Sequence, residues 1–282
     1  MFVAKGGEVM EIFLREFFAC CLLIMIGCGV SANVLLKGTK APARPWFIVI
    51  FGWAIAYGLS YLLVEPFGGA HINPLVSIAY FILGDVYWTY LVIYFLGQFT
   101  GSFIGALMIY FYYIVHFQET FVARRKLQVF LPTPTNENIP SLLFNESVGS
   151  FTFVFALLNF FHFHTTSLII AILISLIVLT TGIAFGSSVN YANNPVRDLG
   201  PRLVSFLVPN MEKGFYRTSN LIFQIGGSII GGIYAALFFQ RIVLQEYHPA
   251  FWGITILIIA NLIWLLIQDR KFIKSGEFKK SS

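Results

Sequence analysis

The chain reads as an all-α membrane protein: six membrane-crossing helices and two shorter re-entrant half-helices form an inverted repeat, and a possible extra apolar helix lies at the C-terminal end. Three observations lead there. Of its 282 residues, 57% are hydrophobic and only 11% charged, with a mean hydropathy of +0.78; a soluble domain of this length is less apolar. An Asn-Pro pair occurs twice, at Asn73-Pro74 and Asn194-Pro195. The surroundings of the two pairs also repeat, with Arg15-Glu16-Phe17-Phe18 opening one half and Phe144-Asn145-Glu146-Ser147 the other.

Each element follows from its residues. The first apolar run, Ile12–Val34, is long enough for a bilayer, which takes about 20 apolar residues. It carries Glu16 near its start and lacks a small-residue cleavage site, so it reads as a retained helix and not a removable signal peptide. All three cysteines (Cys20, Cys21, Cys28) fall in it and read as buried, unpaired side chains. Further runs of spanning length or near it are Trp46–Val64, Tyr90–Val115, Leu142–Phe161, Leu168–Phe185 and Leu221–Phe239. The Asn-Pro pairs lie between the second and third runs and between the fifth and sixth. Asn accepts a backbone N–H at a helix N-cap and Pro is well tolerated in the first turn, so each pair starts a helix, here one too short to span. Three crossings per unit is an odd number, so the second copy is inverted and the two half-helices enter from opposite faces. The units are then residues 1–140, a first repeat with its half-helix at Asn73 and a connecting loop; 141–241, a second repeat with its half-helix at Asn194; and 242–282, an extra apolar helix and basic tail. The linker from His116 to Pro140 carries Pro132, Pro134 and Pro140 and reads as a structured vestibule loop, not a separate domain.

This arrangement predicts a pore. Two helix N-termini, each carrying roughly +0.5 e, would meet at mid-membrane beside two Asn amide donors, which favours neutral polar solutes and opposes cations and protons. Arg197, next to the second half-helix, is costly there unless it lines water. Glu16 and Glu146 occupy matching positions in apolar helices, and a buried carboxylate needs partners; the expected role is structural, holding loop N–H groups near each half-helix. His71 reads as a pore-wall hydrogen-bonding residue, since no second His, Cys or carboxylate is placed to complete a metal site. His162 and His164 read as loop residues between two helices rather than a pH gate. No Gly-rich phosphate loop, metal-ligand cluster or nucleophile–base pair indicates an enzyme. A net charge of +5 spread over loops gives no nucleic-acid signal, and no cofactor is implied.

At this point the chain resembles the aquaporin, or major intrinsic protein, family, and within it the glycerol-conducting aquaglyceroporins. Gly69-Ala70-His71-Ile72-Asn73-Pro74 resembles the family's first signature and Asn194-Pro195-Val196-Arg197-Asp198-Leu199-Gly200-Pro201-Arg202 its second. The resemblance runs from about Glu16 to Arg241. It implies an aquaporin-like fold, and pore-lining backbone at Gly69, Ala70, His71 and Ile72 and at Ala192 and Asn193. It also implies a four-residue selectivity filter, located by spacing: Trp53 stands 20 residues before Asn73, Gly182 and Tyr191 stand 12 and 3 before Asn194, and Arg197 follows the second pair. Water-selective members typically place His where Gly182 falls; Gly leaves room, and two aromatic faces opposite an Arg suit a polyol. Trp53 also has a membrane-belt reading, and Gly182 a helix-packing one that is compatible with the filter role. Asp198, in a structural role, and Arg202 and Tyr113 match the glycerol branch. The function implied is passive passage of glycerol-like uncharged solutes, with water, through a multi-pass protein of the plasma membrane, assembled in the lipid bilayer as a homotetramer.

Departures from the family pattern leave alternatives. Leu75 and Val196 stand where Ala is usual, and larger side chains there either fill space or push the half-helices apart. Gln224 replaces a frequent Pro and Asn190 a frequent Gly. A mainly water-selective channel and a structural membrane protein with an occluded pore therefore stand as alternatives. An ion channel or coupled transporter is weakened by the lack of intramembrane acids beyond Glu16 and Glu146. The seventh run, Phe251–Ile267, is followed by Arg270, Lys271, Lys274, Lys279 and Lys280, and either crosses the membrane or lies in its interface. With the family's cytoplasmic N-terminus, eight loop cations face outward against three inside, contrary to the positive-inside rule. An interfacial last run makes the count eight against eight. An inverted seven-span chain makes it thirteen inside against three.

Overall fold

The protein is described from a computed structural model covering residues 6–41, 46–132, 138–163, 165–189, 193–209, 211 and 218–275. Among these, eleven α-helices and one 3₁₀ turn account for nearly all ordered structure. Helices α1 (Gly6–Leu35), α2 (Trp46–Val64) and α4 (Trp88–Tyr112) form the first set of long helices, and α7 (Ile139–His162), α8 (Ser167–Val189) and α10 (Thr218–Ile242) the second. Half-helices α3 (Pro74–Leu83) and α9 (Pro195–Leu207) sit between them. Short helices α5 (Ile114–Glu119) and α6 (Ala123–Phe130) connect the halves, and α11 (Ala250–Ser275) closes the described chain. Seven of the helices are long and apolar enough to cross a membrane, so the chain is an integral multi-pass membrane protein.

Small residues set the packing. Hydrophobicity does not separate helix from lipid, so helices associate where backbones approach closely. On α4, Gly97, Gly101 and Gly105 face α1, and an added Cβ at each would come under 3.0 Å from the carbonyl oxygens of Phe13, Phe17 and Cys21. On α10, Gly227 and Gly231 do the same against Leu143 and Ser147 of α7. The second repeat thus copies the first. The half-helices then cross over: α3 packs on α10 of the other repeat and α9 on α4. Leu75 meets this crossing at Gly232, where an added Cβ would lie 3.1 Å from the Leu75 Cβ. The extra bulk of Leu75 is therefore absorbed against α10.

Helices α5 and α6 of the linker pack against the bundle, α6 on α1 and α9. Lys37 N–H donates to Thr120 Oγ1 (2.9 Å) and His116 Nδ1 lies 3.0 Å from the Lys37 carbonyl, tying α5 to the end of α1. Leu127, Val129 and Phe130 of α6 are buried, with Phe130 stacked on Phe117.

Helix α11 runs antiparallel to both α7 and α10. Near its start Phe251 stacks on Tyr234 and Thr255 Oγ1 donates to the Tyr234 hydroxyl (3.3 Å). Near its end Gln268 accepts from Asn138, and Asn261 Nδ2 donates to the Pro140 carbonyl between. Thr255 to Gln268 spans roughly 20 Å at 1.5 Å per residue. Helix α11 thus lies alongside the bundle and not across its end.

Candidate functional site

The two half-helices begin identically. Asn73 caps α3 with its side-chain oxygen accepting from Leu75 N–H (2.9 Å), and Asn194 caps α9 by accepting from Val196 N–H (3.2 Å). Pro74 and Pro195 follow as first-turn residues whose missing N–H costs nothing there. The residue before each cap, Ile72 (φ 62) and Asn193 (φ 38), is left-handed. For a β-branched residue this backbone is strained. Each carbonyl so turned meets the other repeat: Asn73 Nδ2 donates to the Asn193 carbonyl (2.8 Å), and Asn194 Nδ2 to the Ile72 carbonyl (2.9 Å). Four residues thus lock the two helix starts head to head.

A buried carboxylate holds the first loop in this conformation. Glu16 accepts from His71 N–H (2.5 Å), Ile72 N–H (2.9 Å) and Gln98 Nε2 (3.0 Å). Gln98 also reaches Ser77 Oγ (3.0 Å), which lies 3.0 Å from His71 Nδ1. His71 is stacked between Tyr80 and Tyr94 at 5.0 and 4.2 Å. On the second repeat Glu146 is buried on α7 and accepts from Ser228 (3.1 Å). Asn193 Nδ2 donates to the Gly149 carbonyl (3.2 Å), and an added Cβ at Gly149 would lie 2.8 Å from Asn193 Oδ1. Within α9, Asp198 takes both nitrogens of a bidentate contact from Arg202 (2.9 Å each).

Two cavities flank the junction. The first, about 330 Å³, is lined by Gly69, Ala70, His71 and Ile72 and by aromatic residues such as Tyr61, Tyr80 and Phe161. The second, about 220 Å³, contains Trp53, Ile50, Val178, Asn193, Arg197 and, from the linker, Gln128 and Leu131. There the Arg197 guanidinium lies 4.4 Å above the Trp53 ring, a cation–π contact. Trp53 is positioned by Ser31, to which its Nε1 donates (3.3 Å), and lies flat over Gly27. Arg197 Nη1 is buried without a hydrogen-bond partner among the described residues.

The predicted set is therefore brought together in part. Trp53 and Arg197 share one cavity and Gly69 to Ile72 line the other. Gly182 is buried on α8 but is not in either lining; an added Cβ there would meet Ile50 Cγ2 at 2.7 Å. Ile50, from the opposite helix, occupies the space that glycine leaves. Leu75 and Val196 are buried and line neither cavity. Asn73 and Asn194 are fully buried, with their amides bonded to protein groups at the junction. Tyr191 and Ala192, with Asn190 and His164, lie outside the described residues.

Sequence reasoning missed Tyr57 and Phe153, which are found in both linings. Tyr57 follows Trp53 by four residues and Phe153 follows Glu146 by seven, helical spacings that put each on the same face as an already selected residue. It also missed Gln98 and Ser77, partners of Glu16 and His71.

Residues 5–239 match the family described as Major intrinsic protein. A glycerol uptake facilitator protein of Bacillus subtilis is 30% identical over 261 residues, covering 93% of this chain and 95% of its own. A probable glycerol uptake facilitator protein of Thermotoga maritima is 34% identical over 80% of this chain and 97% of its own. Among solved structures, the X-ray structure of the aquaglyceroporin from Plasmodium falciparum superposes with a TM-score of 0.73 at 22% identity, over 84% of this chain and 98% of that one; it shares the fold.

Proposed function

The chain belongs to the major intrinsic protein family, and from that premise we propose that it is a passive membrane channel for glycerol and other small uncharged solutes, with water. One observation carries the reading: two Asn-capped helix starts meet head to head between two aromatic-lined cavities, one of which holds Arg197 over Trp53. Both helix N-termini and the guanidinium are positive, which opposes cations. A polyol has what the walls ask for: hydroxyls for the carbonyls of Gly69 to Ile72 and for Arg197, and C–H groups for the ring faces. The relatives named for glycerol uptake favour this substrate class over a mainly water-selective or an occluded protein.

Within this proposal Trp53, Gly182, Tyr191 and Arg197 form the selectivity filter, with Gly182 acting by admitting Ile50. Gly69, Ala70, His71, Ile72, Ala192 and Asn193 supply pore-lining backbone; Asn73, Pro74, Asn194 and Pro195 start the half-helices. Glu16, Glu146 and Asp198 support them. Residues 1–140 and 141–241 act as the two repeats and 242–282 as an appended helix and tail. The protein works in the plasma membrane, as a homotetramer with one pore per subunit, without enzymatic activity.

Stopped-flow light scattering on proteoliposomes tests the reading. Glycerol and water permeability above protein-free vesicles is expected; water without glycerol would support the water-selective alternative, and neither would overturn the channel.

A further inference from the structure

Tyr57 and Phe153 are the two residues shared by both cavities. Their rings are in edge-to-face contact, centroids 5.6 Å apart at 64°, a separation at which no solute fits between them. Both are anchored on long helices, Tyr57 on α2 and Phe153 on α7, and both are buried. Tyr57 is also tied to the half-helix junction, because Asn194 Nδ2 donates to its hydroxyl (2.6 Å) as well as to the Ile72 carbonyl (2.9 Å). An amide has two N–H groups, so Asn194 has none left over.

Resting on the channel reading above, we propose that Tyr57 and Phe153 form a second, central constriction that sets the largest solute able to pass, separate from the filter at Trp53 and Arg197. The Tyr57 hydroxyl takes the place on Asn194 that a polyol hydroxyl would occupy. A hydroxylated solute can exchange with it bond for bond, so the amide is never orphaned during passage. The rings allow passage only by turning aside, and a longer polyol needs them apart over a longer stretch. This assigns the size limit to two side chains that neither Asn-Pro motif contains. The bulk of Leu75 and Val196 lies elsewhere.

The test compares glycerol with a five-carbon polyol in proteoliposomes of wild type, Tyr57→Val, Phe153→Leu and Tyr57→Phe, each checked for monodisperse elution in detergent. Tyr57→Val and Phe153→Leu should raise the five-carbon to glycerol permeability ratio by about tenfold, as expected for lowering one barrier by about 1.4 kcal/mol. Tyr57→Phe keeps the ring and should leave that ratio within about twofold of wild type. Should Tyr57→Val fail to fold, Phe153→Leu carries the size test alone. An unchanged ratio in the folded Val or Leu variant, with wild type conducting glycerol, overturns the constriction and leaves the channel standing. Silence of wild type and all variants sinks the channel reading and this one with it, whereas a silent wild type opened by Tyr57→Val supports the constriction.

Discussion

The half-helices α3 and α9 share a backbone plan and differ in almost everything attached to it. Both start at an Asn-Pro pair after a left-handed residue, and both lend a carbonyl to the other's asparagine. Each repeat has a buried carboxylate, Glu16 with Gln98 and Ser77 beside α3 and Glu146 in the second repeat; α9 in addition carries charges of its own, Arg197 in a cavity and Asp198 bound to Arg202. The repeat fixes where chain meets chain. Divergence of side chains puts Glu65 in one cavity and Arg197 in the other, so a symmetric scaffold yields two unlike approaches to one junction.

Breaking the α3 side should have the largest effect. Glu16→Ala removes the acceptor of His71 N–H and Ile72 N–H, and each orphaned buried donor costs about 1–3 kcal/mol, so thermal unfolding in detergent should fall sharply. Asp198→Ala should cost less, since Arg202 remains partly accessible to water. Equal losses would erase the distinction between the two supports. Next comes packing. Leu75→Ala leaves a cavity against Gly232 and should destabilise by about 2–5 kcal/mol, more than Val196→Ala, while glycerol permeability per folded channel stays within about twofold. A large change in permeability would mean that Leu75 shapes the pore after all. On the α9 side, Arg197→Ala should raise cation leak in planar bilayers about tenfold; unchanged exclusion would remove Arg197 from the barrier. The smallest effect is expected of Gly182→His, where the ring displaces Ile50: glycerol flux should drop roughly threefold more than water flux, and equal loss of both would assign Gly182 to helix packing alone.

Much of the fold was legible because its signals are local. Asn-Pro pairs announce helix starts through their own capping chemistry, and runs of apolar residues announce spans through length. The glycines at 97, 101 and 105 and at 227 and 231 were equally visible, but which helix they face is a tertiary fact. The site was harder. Helix α2 is apolar on every side, so no periodicity separates the face with Trp53 and Tyr57 from the face towards lipid. Counting back from Asn194 finds Gly182 but cannot tell that Ile50 of another helix fills its space. The same holds for the asparagines: sequence supplies two donors, and only the crossing of the repeats reveals that Tyr57, Ile72 and Asn193 receive them.

The reciprocal bonds between the half-helices also impose an order of assembly. Asn73 and its acceptor at Asn193 are separated by 120 residues, and Ile72 and its donor at Asn194 by 122. At translation rates of roughly 5–20 residues per second, the first loop exists for on the order of ten seconds before its counterpart is made. During that interval the Asn73 amide N–H groups would be unmatched and the turned Ile72 carbonyl would keep only the weak Cys20 Sγ contact (3.5 Å), which is costly in lipid. Helix α3 should therefore reach its final depth only after residue 194 has emerged, late in insertion. A ribosome-arrested chain ending before Asn193, carrying a single cysteine at Ala79, which is buried on α3 away from both cavities, on a background free of the three native ones, should react with a membrane-impermeant maleimide; protection already in that truncated chain would show that the first half settles alone.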